Sequence, residues 1–150
     1  MEQILIREDN FDRARKLIKE NSEKDIIFSS DDEETARKVL EKENIKMLLL
    51  NQAGRKDFQK QRNSGFNHVL AKLAKKKNII IGINFDEIIE AEEKEKLKIL
   101  ARIKQNIKIC NKNKLKMKFI IQNPKNKRNI LGLKSLALIL GMPTDMIKDL

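Results

Sequence analysis

The segment Lys46–Ile83, KMLLLNQAGRKDFQKQRNSGFNHVLAKLAKKKNIIIGI, decides the fold. It begins and ends in short apolar runs, Lys46–Leu50 and Ile79–Ile83. Both are apolar almost throughout, as strands buried on two faces are. The thirteen residues 51–63 between them show no apolar period of 2 or 3.6. Phe66, Val69, Leu70, Leu73 and Ala74 then recur at helical spacing, with Ser64 as the expected cap. Lys72, Lys75, Lys76 and Lys77 lie on the other side or near the C-terminus, where cations suit the helix dipole. Strand, loop, helix, strand is a parallel β-α-β unit.

The same pattern extends both ways. Upstream, Gln3–Ile6 and Asp25–Phe28 read as strands. Asp9 or Asn10 is expected to cap a helix carrying Phe11, Ala14, Leu17 and Ile18. Ser30-Asp31-Asp32-Glu33 reads as a capping box for a helix burying Ala36, Val39 and Leu40. Downstream, Glu90–Lys114 reads as one long helix with Leu97, Leu100, Ile103, Ile107 and Cys110 inward. Its rows Lys94-Lys98-Arg102 and Lys104-Lys108-Lys112 read as solvated faces. Lys116–Ile121 is a fifth strand, and Ile130, Leu133, Leu136, Ala137 and Leu140 mark a further helix. Gly141 and Pro143 stop that helix, and Thr144 is expected to cap a short last one. Alternation of five strands with helices predicts an α/β fold with a parallel sheet or barrel, in one domain over 1–150. Loops that follow strands then leave one edge, where α/β folds place their sites.

Two such loops are basic. Residues 51–63 carry Arg55, Lys56, Lys60 and Arg62, and Gln122–Asn129 carries Lys125, Lys127 and Arg128. The topology predicts that they share a surface. Charge is concentrated in the same part of the chain. Residues 1–45 hold 9 Lys/Arg against 13 Asp/Glu, while residues 46–150 hold 24 against 9, giving the net charge of +11. Such a segment attracts polyanions, and counterion release favours nucleic acid. There is no Trp or Tyr, and of the six Phe only Phe58 lies in the basic loop. Stacking of several unpaired bases is therefore not expected, and backbone contact with a structured RNA is.

No catalytic constellation is visible. The single His, His68, leaves a His-based metal cluster or Ser-His-Asp triad little to work with and reads as a capping or packing residue, and Gly54, Gly65, Gly82, Gly132 and Gly141 form no phosphate-cradling loop. No run approaches a membrane span of about 20 apolar residues. The N-terminus carries no signal-peptide pattern, and a lone Cys110 allows no internal disulfide, so a cytoplasmic setting is expected.

RNSGFNHVLAKLAKKKN at 62–78, followed by IIIGINFDEII at 79–89, resembles the protein component 3 family of archaeal ribonuclease P. The helix motif lies at Asn67–Lys72, the glycine-bearing strand around Gly82, and the acidic-apolar segment at Phe85–Ile89. RIKQNIKICNKNKLKMKFII (102–121) looks like the family's long helix and next strand, and LKSLALILGM (133–142) like its closing helix. The resemblance implies a (β/α) barrel-like fold; the chain departs from it in showing only five strands, so a shortened barrel is expected, with an open edge that a partner covers. It implies a non-catalytic subunit of ribonuclease P that binds the catalytic RNA and acts on precursor tRNA. It also implies partnership with component 2, in a paired assembly of two copies of each. Magnesium is then expected to serve the RNA, with no metal or cofactor held by the protein. Arg55, Lys56, Lys60, Arg62, Lys125, Lys127 and Arg128 would neutralise phosphates, with backbone donors added at Ser64–Phe66. Two rival readings remain: a small metal-dependent phosphoesterase using Asp57, His68 and acids on the same face, and a non-catalytic protein-interaction scaffold.

Overall fold

The computed structural model describes residues 2–150. Five strands form one sheet: β1 (Gln3–Arg7), β2 (Asp25–Ser29), β3 (Met47–Leu50), β4 (Ile80–Asn84) and β5 (Met117–Ile120). They lie in the spatial order β1-β2-β3-β4-β5, every neighbouring pair parallel. The helices are α1 (Phe11–Glu20), α2 (Glu33–Lys42), α3 (His68–Lys76), α4 (Phe85–Glu90), α5 (Glu93–Lys112), α6 (Ile130–Ile139) and α7 (Thr144–Ile147). Right-handed crossovers between strands in sequential order keep the connecting helices on one face. The result is a shortened parallel barrel-like sheet. No described helix is long and apolar enough to cross a membrane.

The main core lies between the sheet and this helical layer. Ile6, Ile26, Phe28, Leu48, Leu50, Ile81, Ile83 and Met117 point toward Ala14, Val39, Leu40, Leu70, Ala74, Ile99, Ile103 and Cys110. Alternation along each strand sends Leu5, Ile27, Met47, Leu49, Ile80 and Ile120 to the opposite face, where they form a second cluster made of strand residues. Gly82 belongs to that face. A Cβ there would lie 3.1–3.2 Å from Ile120, Leu49 and Met47, so the missing side chain lets three neighbours close over β4.

Asparagine starts four of the helices. Asn10, Asn67, Asn84 and Asn129 each accept a backbone N–H of the following first turn. Other expectations need correction. Asp32, not Ser30, caps α2, accepting Thr35 N–H at 3.1 Å, while Ser30 Oγ donates to Asp9. Ser64 does not cap α3, which begins four residues later behind Asn67; Ser64 is buried under the loop. Val69 consequently faces solvent, and Ala71 joins Leu70 and Ala74 inside. Phe85–Glu90 is a separate helix, α4, capped by Asn84. The inward face of α5 runs through Ile99, Ile103, Asn106, Ile107 and Cys110, leaving Leu97 65% exposed. Arg102 lies in that inward face at 1% exposure and is not part of a solvated row. Ile130 is exposed on α6, and Thr144 is the first residue of α7 without a side-chain cap bond.

Candidate nucleic-acid interface

Both basic loops leave the C-terminal edge of the sheet, on either side of β4. The first turn of α4 serves both through adjacent carboxylates. Glu87 accepts the Gln52 N–H at 2.7 Å, at the start of the 51–63 loop. Asp86, 9% exposed, accepts the N–H groups of Gln122 and Asn123 at 2.9 and 3.2 Å and the Asn126 amide at 2.8 Å. Pro124–Asn126 forms a short 3-10 turn as a result. Behind Glu87, Asn84 donates to Asn51 (2.8 Å) and Asn51 to Ser29 (2.6 Å), linking β4, β3 and β2 at their ends. The two loops thus share one edge and one short helix, as the topology predicts.

The first loop is held along its length by α5. Glu95 accepts Gly54 N–H at 3.1 Å. Arg102 donates to the Gln52 carbonyl (2.8 Å), the Arg55 carbonyl (2.7 Å) and Asp57 (3.1 Å). Asp57 in turn accepts Asn63 N–H at 2.9 Å, which closes the loop on itself. Further on, Gln105 donates to the Arg62 carbonyl, and Asn106 and Gln52 donate to the Ser64 carbonyl. Glu95, Arg102 and Asn106 follow at i, i+7 and i+11, one stripe of the helix. A thirteen-residue loop whose own structure is one isolated bridge, Phe58 to Gln61, is ordinarily either functional or disordered. Here a buried guanidinium and three neighbours supply the polar partners that a sheet or helix would have supplied.

The electrostatics follow from burial. Hydrogen bonding by Asn63 N–H, then by Arg102, holds the Asp57 carboxyl below the usual carboxylate range. Burial pushes Glu87 up, against the pull of the Gln52 and Ala53 amides and of Arg55. Burial also lowers Arg55 from the ordinary guanidinium value, opposed by the carboxylates of Asp31, Glu87 and Glu33.

The seven sequence-chosen cations fall into two groups. Lys56, Lys60, Arg62, Lys125, Lys127 and Arg128 are exposed, and none forms an ion pair among the described residues. Arg55 differs. It is half-buried, its Nε donates to the Asn51 carbonyl at 2.5 Å, and its guanidinium lies against Gly65. Gly65 has φ +72°, and a Cβ there would stand 2.6 Å from the Arg55 guanidinium carbon. Its neighbour Ser64 starts no helix, so the backbone donors expected at Ser64–Phe66 are not a helix N-terminus; Gly65 N–H is turned to Asn63 Oδ1 at 3.3 Å.

Asp57 and His68 do not form a joint centre. Asp57 is tied to Arg102, whereas His68 Nδ1 lies 3.0 Å from the amide of Asn113, roughly 16 Å further along α5 at 1.5 Å per residue. Among the described residues no three His, Cys, Asp or Glu side chains converge as a metal site would require. Sequence reasoning missed the anchors Asp86, Glu87, Glu95 and Arg102. For Arg102 a signal existed: it lies three residues after Ile99 and one before Ile103, inside the apolar stripe.

No family model matches the sequence. The fold does have a likeness among solved structures. One chain of the cryo-EM structure of archaeal ribonuclease P with mature tRNA superposes with a TM-score of 0.82. The match covers 98% of this chain and 64% of the other, at 21% sequence identity. The present chain therefore spans a little under two thirds of its neighbour's length, and nearly all of its own architecture has a counterpart there.

Proposed function

We propose that the chain is a protein subunit of a ribonuclease P ribonucleoprotein of the component 3 type, binding and stabilising the catalytic RNA during removal of the 5′ leader from precursor tRNA. The observation that carries this reading is the likeness in fold over 98% of the chain to a chain of a ribonuclease P–tRNA assembly. The residue motifs at 62–89, 102–121 and 133–142 and the two anchored basic loops support it. Lys56, Lys60, Arg62, Lys125, Lys127 and Arg128 neutralise phosphates on a structured RNA. Arg55 holds the loop and adds its field from beneath. The loops carry one aromatic residue, Phe58, so contact is with the backbone and little base sequence is read. Chemistry belongs to the RNA and its magnesium ions. In this reading the chain works in the cytoplasm with a second small protein of the component 2 type, two copies of each forming the assembly.

The test is reconstituted precursor-tRNA cleavage with the cognate RNA and component 2, with and without this chain, across a salt and magnesium series. Adding the chain lowers the magnesium requirement of correct 5′ cleavage. The triple reversal Lys56→Glu/Lys60→Glu/Arg62→Glu leaves the fold intact, since all three side chains are exposed. It flattens the salt dependence of RNA binding by about one unit of slope for each phosphate that is no longer neutralised. Cleavage indifferent to the chain in an otherwise competent mixture overturns the subunit reading. Unchanged RNA affinity in the folded triple variant overturns the loop assignment.

A further inference from the structure

Helix α6 reads ILGLKSLALI, with Lys134 and Ser135 its polar residues. A helix apolar on all sides is ordinarily buried on all sides. In α6 only Ala137 is buried, while Leu131, Leu138 and Ile139 are 73%, 64% and 75% exposed. Leu97 of α5, 65% exposed, lines one surface with Leu136, Ile139 and Leu140 of the α6 segment. Isolated exposed leucines need no explanation, but a continuous apolar surface marks an interaction site.

Between α5 and α6 runs a groove of about 530 Å³. Leu97, Leu100 and Ala101 line it from one helix, and Leu136, Ile139 and Leu140 from the other. Its remaining lining includes three cations, Arg62, Lys104 and Lys108, and no carboxylate. Leu97, Ala101, Lys104 and Lys108 follow at i, i+4, i+7 and i+11, a stripe of about three turns or roughly 16 Å. An apolar trough of that length with cationic shoulders has the form that receives an amphipathic helix by anchors at i, i+3 or i+4 and i+7.

We propose that the α5–α6 groove docks an amphipathic helix of another protein, one with a leucine-type stripe flanked by carboxylates that meet Lys104 and Lys108. The charge of the groove selects this occupant. RNA satisfies the lysines but offers nothing apolar to cover Leu97, Leu100, Leu136 and Ile139. A second copy of this chain is a poor match. Its acidic helix α2 already spends its apolar face, Ala36, Val39 and Leu40, on the core, and α6 has no acid to offer. The inference goes beyond the RNA-binding reading and does not depend on it.

Two helix-stapled synthetic peptides of four turns test it with the full chain. Both carry leucines at i, i+3 and i+7; one has glutamates on its shoulders and the other lysines. Fluorescence anisotropy gives affinities, and amide chemical shifts locate the contact. The glutamate peptide binds at least about tenfold more tightly and shifts residues of α5 and α6. Lys104→Glu/Lys108→Glu inverts the preference. Ile139→Asp, at a position already exposed, abolishes binding of the glutamate peptide. Equal affinity for both peptides, or binding that survives Ile139→Asp, overturns the proposal. So does a wild-type dimer by light scattering that Ile139→Asp converts to monomer, which assigns the groove to a second copy. A hairpin RNA that shifts the same α6 amides overturns it in favour of RNA. The same RNA titrated against the loop triple variant reports on the loop separately, so the two readings can fail independently.

Discussion

Replacing Arg102 by Met should loosen the basic loop before it disturbs the sheet. The substitution keeps an unbranched stem in the helical layer and removes the guanidinium. Three bonds go with it, to the carbonyls of Gln52 and Arg55 at 2.8 and 2.7 Å and to Asp57 at 3.1 Å. Bonds of a charged donor contribute about 1.5–3 kcal/mol each, and breaking a buried pair from one side costs about 3–5 kcal/mol. Asp57 stands 38% exposed and recovers hydration, whereas the Gln52 carbonyl lies in a buried contact and does not. A net loss of about 3–4 kcal/mol follows from these ranges. At about 2–4 °C per kcal/mol for a chain of this size, the melting temperature falls by about 10 °C. Urea unfolding measures the first quantity and a thermal scan the second. Hydrogen exchange locates the damage: Gly54 and Asn63, whose N–H groups are held by Glu95 and Asp57, lose protection while strand amides keep it. Arg102→Lys restores only part, because an ammonium cannot fork to two carbonyls and a carboxylate. A methionine variant with the wild-type urea midpoint and unchanged exchange at Gly54 and Asn63 would refute the assignment of Arg102 as the loop's anchor.

Glu87→Gln keeps an acceptor for Gln52 N–H and removes a carboxylate whose pKa is raised by burial. A raised carboxyl pKa gives stability that is complete below the unfolded value near 4.5 and is lost as pH rises through the folded one. The glutamine variant therefore gains on the wild type from acid toward neutral pH in urea midpoints; a gain that grows toward acid instead contradicts the cause assigned to the shift. Gly65→Ala places a side chain at φ +72° against the Arg55 guanidinium and should lower stability by roughly 1–2 kcal/mol, and an unchanged midpoint would mean that Arg55 packs elsewhere. Cys110 is fully buried and its thiol is pushed far up by burial, so a disulfide reagent labels it only at the rate of unfolding; rapid labelling of the native protein is the contrary result.

The strands were legible because apolar runs such as Met47–Leu50 and Ile80–Ile83 satisfy only one environment, a parallel sheet covered on both sides. Helix boundaries were less so. Ser64 and Asn67 are both competent caps three residues apart, and what separates them is that Ser64 lies beneath the loop beside Asn106, a tertiary fact. Phe85–Glu90 is too short for periodicity to announce it. Arg102 carried a signal in its place between Ile99 and Ile103, but its row with Lys94 and Lys98 has the pattern of a solvated face, and its partners come from a loop passing overhead. The exposed cations were legible as charges, but the distinction between Arg55 and its neighbours needed the glycine against which it lies. On α6 the pattern promised a buried helix, and the structure leaves Leu131, Leu138 and Ile139 uncovered.

The order of the sheet bears on how the chain is made. Each strand pairs only with its neighbours in sequence, so a chain emerging from the ribosome can add β2, β3 and β4 one at a time to a growing edge, without leaving room for a later insertion. The 51–63 loop cannot follow that schedule. Its clamps Glu95, Arg102 and Asn106 are synthesised some forty to fifty residues after it, so β3 and β4 can be paired while the segment between them is still unfastened. During synthesis this basic loop can thus be fastened only after the strands on either side of it have paired. On the RNA-binding reading proposed above, an RNA present at that moment would meet a different surface from the one it would meet after α5 has docked.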